Sequence, residues 1–484
     1  MEVNVFYTNL AEIADYQNLR LDVSFLTYFK TKPLITGNRF KNFILEIGNG
    51  KDISPDNYED YNDSDIIYPS VNNFTKGVFK YKNLTFISEK YGLPKILEDD
   101  DIVITRSGTV GTTYVWNNDK INQFFGRKII AIPSGYLIVV KVDKTKILPL
   151  FIQHYFNSKI VQGYFNVFGV GKTQKNIAQP DILNIIIPNI PIATQQQILQ
   201  QIQPIEAEIT ALQAQICEPL AIINEVFAVY YGYDADLWRA FGKGMTAGTQ
   251  KSATKTAQIY TLDFADIGSS HLVRMSCRYH NPLTQQLTAA LRSKAIRKVK
   301  SVLNALNKGI QPVYDTEGQI PVAKIATLKN GYIDFSDPEF VNQDFYNNAN
   351  ELAKLKYGDV LICATGKISL GKIDFYNLEE DSIISVDNYI LKVNTDIYNP
   401  LFLTYFLRSI LGAFQVERDY TGTTNQIHLY AAEISNFEIP DIPLDAQTML
   451  VAQIKQGLDA QTHIESEIAN KQNEISRIIE SAIV

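Results

Sequence analysis

For 484 residues the chain carries few cysteines and few histidines. Cys217, Cys277 and Cys363 are odd in number and far apart. That excludes a disulfide framework and fits reduced thiols in a cytoplasmic protein. His154, His271, His280, His428 and His463 make no ligand spacing with the cysteines, so no metal is expected. No apolar run approaches the roughly 18 residues that cross a bilayer. The start, Met1-Glu-Val-Asn-Val-Phe, has no basic stretch, so neither a signal peptide nor a membrane partner is expected. Positive charge is also short, with a net charge of −7. That counts against phosphate contact unless the charge is segregated, and it is. Residues 193–230 hold Glu206, Glu208, Glu218 and Glu225 and no Lys or Arg. Residues 286–308 hold Arg292, Lys294, Arg297, Lys298, Lys300 and Lys308 and no acid, and the run Arg292 to Lys300 reads as one face of an amphipathic helix.

Catalytic patterns are missing too. Phe168-Gly-Val-Gly-Lys-Thr173 looks like a phosphate-binding loop, but Asn166 stands where the first glycine must be. There is no Gly-x-Ser-x-Gly elbow, no His-Glu-x-x-His pair, and no Asn/Asp-Pro-Pro-aromatic tetrapeptide. Asp99-Asp-Asp101 suggests a cation site, but it reads better as a solvated turn ahead of a strand. No cofactor and no enzyme activity are expected of this chain.

What is present is a duplication. Gly171-Lys-Thr-Gln-Lys-Asn-Ile177 is followed by Ile185-Ile-Ile-Pro-Asn-Ile-Pro191 and a Gln-rich helix from about Ala193. Gly422-Thr-Thr-Asn-Gln-Ile-His428 is followed by Phe437-Glu-Ile-Pro-Asp-Ile-Pro443 and a helix from about Asp445. Gly171 and Gly422 are 251 apart, and Pro188 and Pro440 are 252 apart. Other blocks keep nearly that offset. Tyr7-Thr8, Leu10–Ile13 and Arg20 answer to Tyr260-Thr261, Phe264–Ile267 and Arg274. Tyr68–Gly77 faces Pro321–Gly331, each an apolar run before a polar turn. Asp101–Gly108 faces Asp359–Gly366, each a buried strand ending in a Ser/Thr-Gly turn. Leu148–Tyr155 faces Asn399–Phe406, each with a proline heading an aromatic helix. Blocks in such register mark two copies of one unit.

Each unit ends in a helical arm. Ile198, Ile202, Ile205, Ile209, Leu212 and Ile216 recur at the 4-3 spacing of a coiled-coil seam. The arm at the other end carries Ile454, Leu458, Ile464, Ile468, Ile475 and Ile479. Pro204 and Pro219 should interrupt the first arm, and Gly457 the second. Each arm is then a short helix, a break and a longer helix of about 25 residues, on the order of 37 Å. The domains expected are residues 1–192 and 259–444, the helical segments 193–230 and 445–484, and a Gly/Ser/Thr-rich connector over 231–258.

These blocks together resemble the specificity (S) subunit of type I restriction-modification systems, over nearly the whole chain. The resemblance implies an α/β fold with two similar target recognition domains related by pseudo-two-fold symmetry. Two long antiparallel helices forming a coiled coil separate them. It also implies a non-catalytic reader of an asymmetric, interrupted sequence in double-stranded DNA. Its partners are two methyltransferase (M) subunits and a restriction (R) subunit, and S-adenosylmethionine, ATP and Mg belong to those partners alone. An arm of about 37 Å is close to the roughly 34–36 Å turn of B-DNA. Two departures stand out. Arg274-Met-Ser-Cys-Arg-Tyr279 lacks the acid that Asp22 supplies in the first copy, and prolines are unusual in a helical spacer. The competing reading is a duplicated coiled-coil adaptor that binds proteins and no DNA.

The candidate DNA contacts lie on the shared turns. Lys172, Thr173 and Lys175, with Thr423, Thr424 and Asn425, either meet DNA or cap the next element. Arg106 and Ser107, with Thr365 and Lys367, sit at strand ends, where binding residues collect. The recurring Ser/Thr-Gly reads as shared fold, and Arg106 and Lys367 as readout. Asn72, Asn73 and Lys76, with Lys324 and Lys329, suit a groove, although each alone is more often a solvated turn residue. The basic run 292–300 would attract DNA at long range. The arm residues Ile205, Ile209, Leu212, Ile216, Leu458, Ile464, Ile468 and Ile475 are expected to form the spacer and partner helices.

Overall fold

The computed structural model describes residues 28, 35–59, 64–75, 77–81, 84–92, 95–171, 175–234, 261, 263–268, 276, 278–423 and 426–483. The blocks Tyr7–Arg20, Tyr260 and Arg274, the connector from residue 235, and Cys277 lie outside them. The chain forms two compact units, Met1–Gln215 with Ile464–Val484, and Ile216–His463.

In the first unit the apolar β-rich runs build a four-stranded sheet. Strands β1 (Ile44–Asn49), β2 (Ile102–Thr105), β3 (Thr113–Val115) and β4 (Leu137–Val142) lie in the order β1-β4-β2-β3, all antiparallel. β2 is buried throughout, and its Ile-Val-Ile run is apolar on both sides because both its faces are covered. Ile102 and Ile104 pack with helices α1 (Pro149–Asn157) and α2 (Lys159–Phe168), while Val103 packs with Tyr114 and Trp116. Pro149 takes the first turn of α1, where its missing N–H costs nothing. A smaller sheet contains one parallel pairing, Ile66 with Ile130. Residues 37–39 pair antiparallel with 186–188, Gly37 opposite Pro188.

The second unit repeats the central sheet strand for strand, while its smaller sheet has three strands where the first unit's has four. β5 (Leu303–Lys308), β6 (Val360–Cys363), β7 (Ile373–Phe375) and β8 (Asn388–Val393) lie in the order β5-β8-β6-β7. Helices α5 (Pro400–Arg408) and α6 (Ile410–Asp419) answer to α1 and α2. Val322 pairs parallel with Ile383, and Ile296 lies opposite Pro440. The Ile-Pro segments therefore each close their unit by pairing with a strand near its beginning.

Local devices recur with the strands. Asp101 accepts from the Glu98 N–H at 2.9 Å, and Asp359 accepts from the Lys356 N–H at 2.9 Å. Asp101 is buried and stands 3.8 Å from Lys141, so the Asp99–Asp101 run is a turn lock. Gly111 and Gly371, at φ +85° and +76°, follow the Ser/Thr-Gly turns. A Cβ on Gly111 would overlap the Phe165 ring, and one on Gly371 would lie 2.8 Å from Val416 Cγ1. Gln195 and Gln447 are buried near the starts of the two arms. Gln195 accepts from the Leu148 N–H (2.9 Å) and donates to the Ile190 carbonyl (2.8 Å). Gln447 does the same with Asn399 (2.7 Å) and Ile442 (2.9 Å).

The arms differ from expectation. Helix α3 (Ile192–Gln213) runs straight through Pro204, and the break falls at residues 214–218, before α4 (Pro219–Tyr231). Pro204 costs a hydrogen bond, but Ile202, Ile205 and Ile209 on either side are buried, and that packing holds the turn. Pro219 does not interrupt a helix; it starts one, at the position where proline is tolerated. The second arm is one uninterrupted helix, α7 (Leu444–Ile483), of 40 residues, about 60 Å long at the standard rise. Gly457 does not break it, because its missing side chain makes room for Ile222, whose Cγ2 would lie 2.6 Å from a Cβ there.

Ile205, Ile209, Ile468 and Ile475 share the core of the first unit, with Leu212 and Ile464 partly buried against it. Leu458 packs against the core of the second unit. Ile216, expected in the seam, is 43% exposed because it falls in the break.

The basic run is not one helix. Helix 282–292 ends at Arg292, and Ile296, Arg297 and Lys298 form a strand paired antiparallel with residues 438–440. Arg292 grips buried Glu438 through both carboxylate oxygens, at 2.8 and 2.9 Å, and Lys298 joins at 2.9 Å. Burial pushes the Glu438 carboxyl up, but these bonds outweigh it and hold the group at about 2. A depressed carboxyl stabilises the fold above its ordinary value, and that stability is lost as the pH falls from 4.5 toward 2. Because Arg292 and Lys298 are half-exposed, the contribution is about 2 kcal/mol. Urea unfolding between pH 5 and 2.5 should show this loss in the second unit, and Glu438→Gln should flatten it.

Candidate nucleic-acid interface

In each unit, turns far apart in sequence converge at one end of the central sheet. In the first unit the Ser134 N–H donates to the Pro69 carbonyl at 3.1 Å, the Arg106 N–H to Tyr136 at 3.0 Å, and the Gly108 N–H to Lys175 at 3.0 Å. Ser107 bridges Asn176. In the second unit the Ser385 N–H donates to Ala323 (2.9 Å), the Ala364 N–H to Asp387 (2.9 Å), and the Leu429 N–H to Ala364 (2.9 Å). Thr365 bridges His428. A strand end reached by several turns is a rigid frame for variable side chains.

The structure brings Asn72, Arg106, Ser107 and Lys175 to this end of the first unit, and Lys324, Thr365 and Lys367 to that of the second. Asn72 is exposed on the turn 71–73, and Arg106 is half-buried. Lys175 is exposed and donates to the Asn166 carbonyl at 3.2 Å. Asn73 points inward: it is buried, accepts from the Ser70 N–H and donates to the Lys80 carbonyl, so it fixes its own turn. Ser107 is buried in its bridge. Lys367 is exposed, as is Ile368 beside it. Two lysines are locally neutralised, Lys324 by Glu339 at 2.6 Å and Lys329 by Asp334 at 3.5 Å. The Thr423 backbone lies in the hairpin strand 421–423. Lys76, Lys172, Thr173, Thr424 and Asn425 lie outside the described residues.

Sequence reasoning missed other members. Tyr136 is 55% exposed beside Arg106. Gln179 donates to the Asn49 side chain at 3.0 Å, at the end of β1. Asp387 accepts from the Thr365 hydroxyl at 3.3 Å. The signal was available, since Tyr136 and Asp387 are 251 apart, but neither belongs to a block that looks alike in both copies.

The first unit also holds a cleft of about 1710 Å³ lined by residues including Trp116, His154, Gln203 and Glu206. Burial holds the His154 imidazole at about 4, hence neutral near pH 7. Burial also raises the Glu206 carboxyl, although its side chain is still 43% exposed. Lys120, Lys159 and Lys175 are the cleft's lysines, against a lining dominated by amides and aromatics, which does not suit a phosphate chain. Among the described residues no group of three His, Cys, Asp or Glu side chains could hold a metal, and no helix is long and apolar enough to cross a membrane.

Two copies of one α/β module, each with loops converging at one sheet end and each followed by a helical arm, are what the fold presents. Residues 42–220 match the family of the type I restriction modification DNA specificity domain. The matched stretch is 179 of the 484 residues. No curated protein matches.

Among solved structures the chain is similar to one titled for complex assembly and conformational transition of the type I R-M system. The two are 14% identical, with 94% of this chain and 98% of that one covered and a TM-score of 0.44. It is also similar to the type I S subunit from M. genitalium, at 12% identity, 93% and 98% coverage, and a TM-score of 0.39. The HsdS subunit from Thermoanaerobacter tengcongensis is a third, at 15% identity, 93% and 97% coverage, and a TM-score of 0.30.

Proposed function

We propose that this chain is the non-catalytic specificity subunit of a type I restriction-modification complex, and that its two modules read the two halves of an asymmetric, interrupted DNA target. The observation that carries this is the duplication itself. The central sheet repeats strand for strand, while the side chains at the sheet ends differ. Identical halves would read a symmetric site, and diverged ones read unlike half-sites. Lys and Arg contacts to phosphate would set register, and side chains at the sheet ends would reach base edges.

The arms serve as an antiparallel spacer and as the docking surface for two methyltransferase subunits, with a restriction subunit joining the complex. The direction of the pairing favours this. The Cys217 N–H meets the Gln461 side chain, and five residues on, Ile222 meets Gly457. Chemistry belongs to the partners, with S-adenosylmethionine, ATP and Mg bound there. The complex works in the cytoplasm.

The test is methylation-site sequencing in a host carrying the complete system. It should return a motif of two short specified blocks around an unspecified gap, and a short continuous motif would overturn the proposal. The purified complex should also lose DNA affinity steeply between about 50 and 200 mM salt, by on the order of a thousandfold or more for six or more phosphate contacts. A flat salt response would favour the protein-binding adaptor.

A further inference from the structure

The sheet ends of the two units are built on the same frame, so their side chains can be paired residue by residue. Leu137 lies opposite Thr105 in the first unit, and Asn388 opposite Cys363 in the second. Ser107 bridges Asn176, and Thr365 bridges His428. Lys51 pairs in parallel with Ser134, and Ile310 with Ser385. These three registers make Arg106 equivalent to Ala364 and Tyr136 equivalent to Asp387. The backbone bond between the paired positions is also kept, at 3.0 Å from Arg106 to Tyr136 and 2.9 Å from Ala364 to Asp387. One surface carries a guanidinium beside an exposed aromatic ring. The other carries a carboxylate beside a buried alanine.

The carboxylate is not taken up by a neighbouring cation. Asp387 lines a pocket of about 370 Å³ with Tyr314, Lys324, Lys372 and Ser385. Lys324 is held by Glu339, and Lys372 donates to the Leu328 carbonyl at 3.2 Å. Among the described residues no Lys or Arg forms an ion pair with Asp387, whose one side-chain bond here is the long one from Thr365. A carboxylate facing phosphates is repelled. It is favourable on a DNA-facing surface only where it meets a donor, and the donors on base edges in the major groove are the exocyclic amino groups of cytosine and adenine. A guanidinium has only donors, and its bidentate partner on a base edge is guanine, through O6 and N7.

We infer that Asp387 is a specificity-determining residue of the second unit that accepts a hydrogen bond from a base amino group, cytosine N4 foremost, while Arg106, the backbone-bonded neighbour of the equivalent Tyr136 in the first unit, reads a guanine. This rests on the DNA-reading function proposed above. It assigns opposite hydrogen-bond character to the two half-sites at the matching pair of positions. Thr365, bonded to Asp387, is a positioning residue.

The experiment compares the complete complex carrying the natural chain, Asp387→Ala, Asp387→Asn or Arg106→Ala. It uses methylation-site sequencing, and binding to a panel of duplexes substituted one base pair at a time. Asp387→Ala should lower discrimination at one base pair of one half-site by about tenfold to a hundredfold and leave the other half-site unchanged. Arg106→Ala should do the same in the other half-site only. Asp387→Asn keeps the volume, so it serves if the alanine variant fails to assemble, and it should shift the preference at that base pair toward adenine. An unchanged motif in the Asp387 variants overturns the inference, as does uniform weakening across all positions. A continuous motif from the natural complex would instead overturn the underlying reading of two half-sites.

Discussion

Gly111→Ala should destabilise the first unit by about 2–4 kcal/mol, while Gly371→Ala in the second costs about 1–2 kcal/mol. Both glycines adopt a left-handed conformation that costs a residue with Cβ roughly 1 kcal/mol or more. The difference lies in what the methyl would meet. At Gly111 it overlaps the Phe165 ring, which is itself fully buried among Phe156 and Tyr164 and has nowhere to go. Overpacking of a filled core adds about 1–3 kcal/mol. At Gly371 the obstacle is Val416 at 2.8 Å, an aliphatic tip that can shift a little. Urea unfolding followed by hydrogen exchange separates the two units. Faster exchange over β2 and β3 in Gly111→Ala, with β6 and β7 unchanged, is the expected result. Equal costs in the two units would show that the ring yields as readily as the valine.

Gln195→Ala and Gln447→Ala should each cost about 2–4 kcal/mol. Each removes an amide that satisfies one N–H and one carbonyl at the joint between an arm and its aromatic helix. A buried polar group left without a partner costs roughly 1–3 kcal/mol. Methionine at either position keeps the volume and loses both bonds, so it separates the hydrogen bonds from the packing. If Gln195→Met is as stable as the natural chain, water satisfies those backbone groups and the glutamine is not the joint. Under the function proposed above, the consequence reaches beyond stability. A loosened joint frees the arm from its reading module, and the specified blocks of the target should then tolerate a wider range of gaps.

Much of this architecture was legible before any coordinates. Period-2 and apolar runs mark strands, and a proline ahead of an aromatic run marks the start of a helix. The offset near 251 shows that whatever the first half does, the second half does with a variant of the same parts. These features persist because they are local or repeated, so each copy checks the other. The arms were legible in their apolar stripe but not in their breaks. The intrinsic cost of Pro204 or Gly457 is a few kcal/mol at most. Whether the helix continues depends on what packs beside it: buried isoleucines around Pro204, and Ile222 against Gly457.

The candidate site divides in the same way. Its frame, the Ser/Thr-Gly turn and the return strand, is repeated and was visible. Its readers were visible only where they belong to a motif, and Asn73, offered as a reader, is a buried turn fastener. Tyr136 and Asp387 escaped notice because they differ between the copies, and a search for likeness passes over them.

The amino-acid sequence by itself determined that there are two modules, which stretches are strand, turn and arm, and that the chain resembles a DNA reader rather than an enzyme. Only the tertiary structure decided which turns share a surface, which lysines are already neutralised by an acid, and which side chains of the two modules occupy matching places. The reason is physical. Periodicity and turn chemistry act between residues a few positions apart, whereas Arg106 and Tyr136, or Thr365 and Asp387, become neighbours only when strands distant along the chain hydrogen-bond in register.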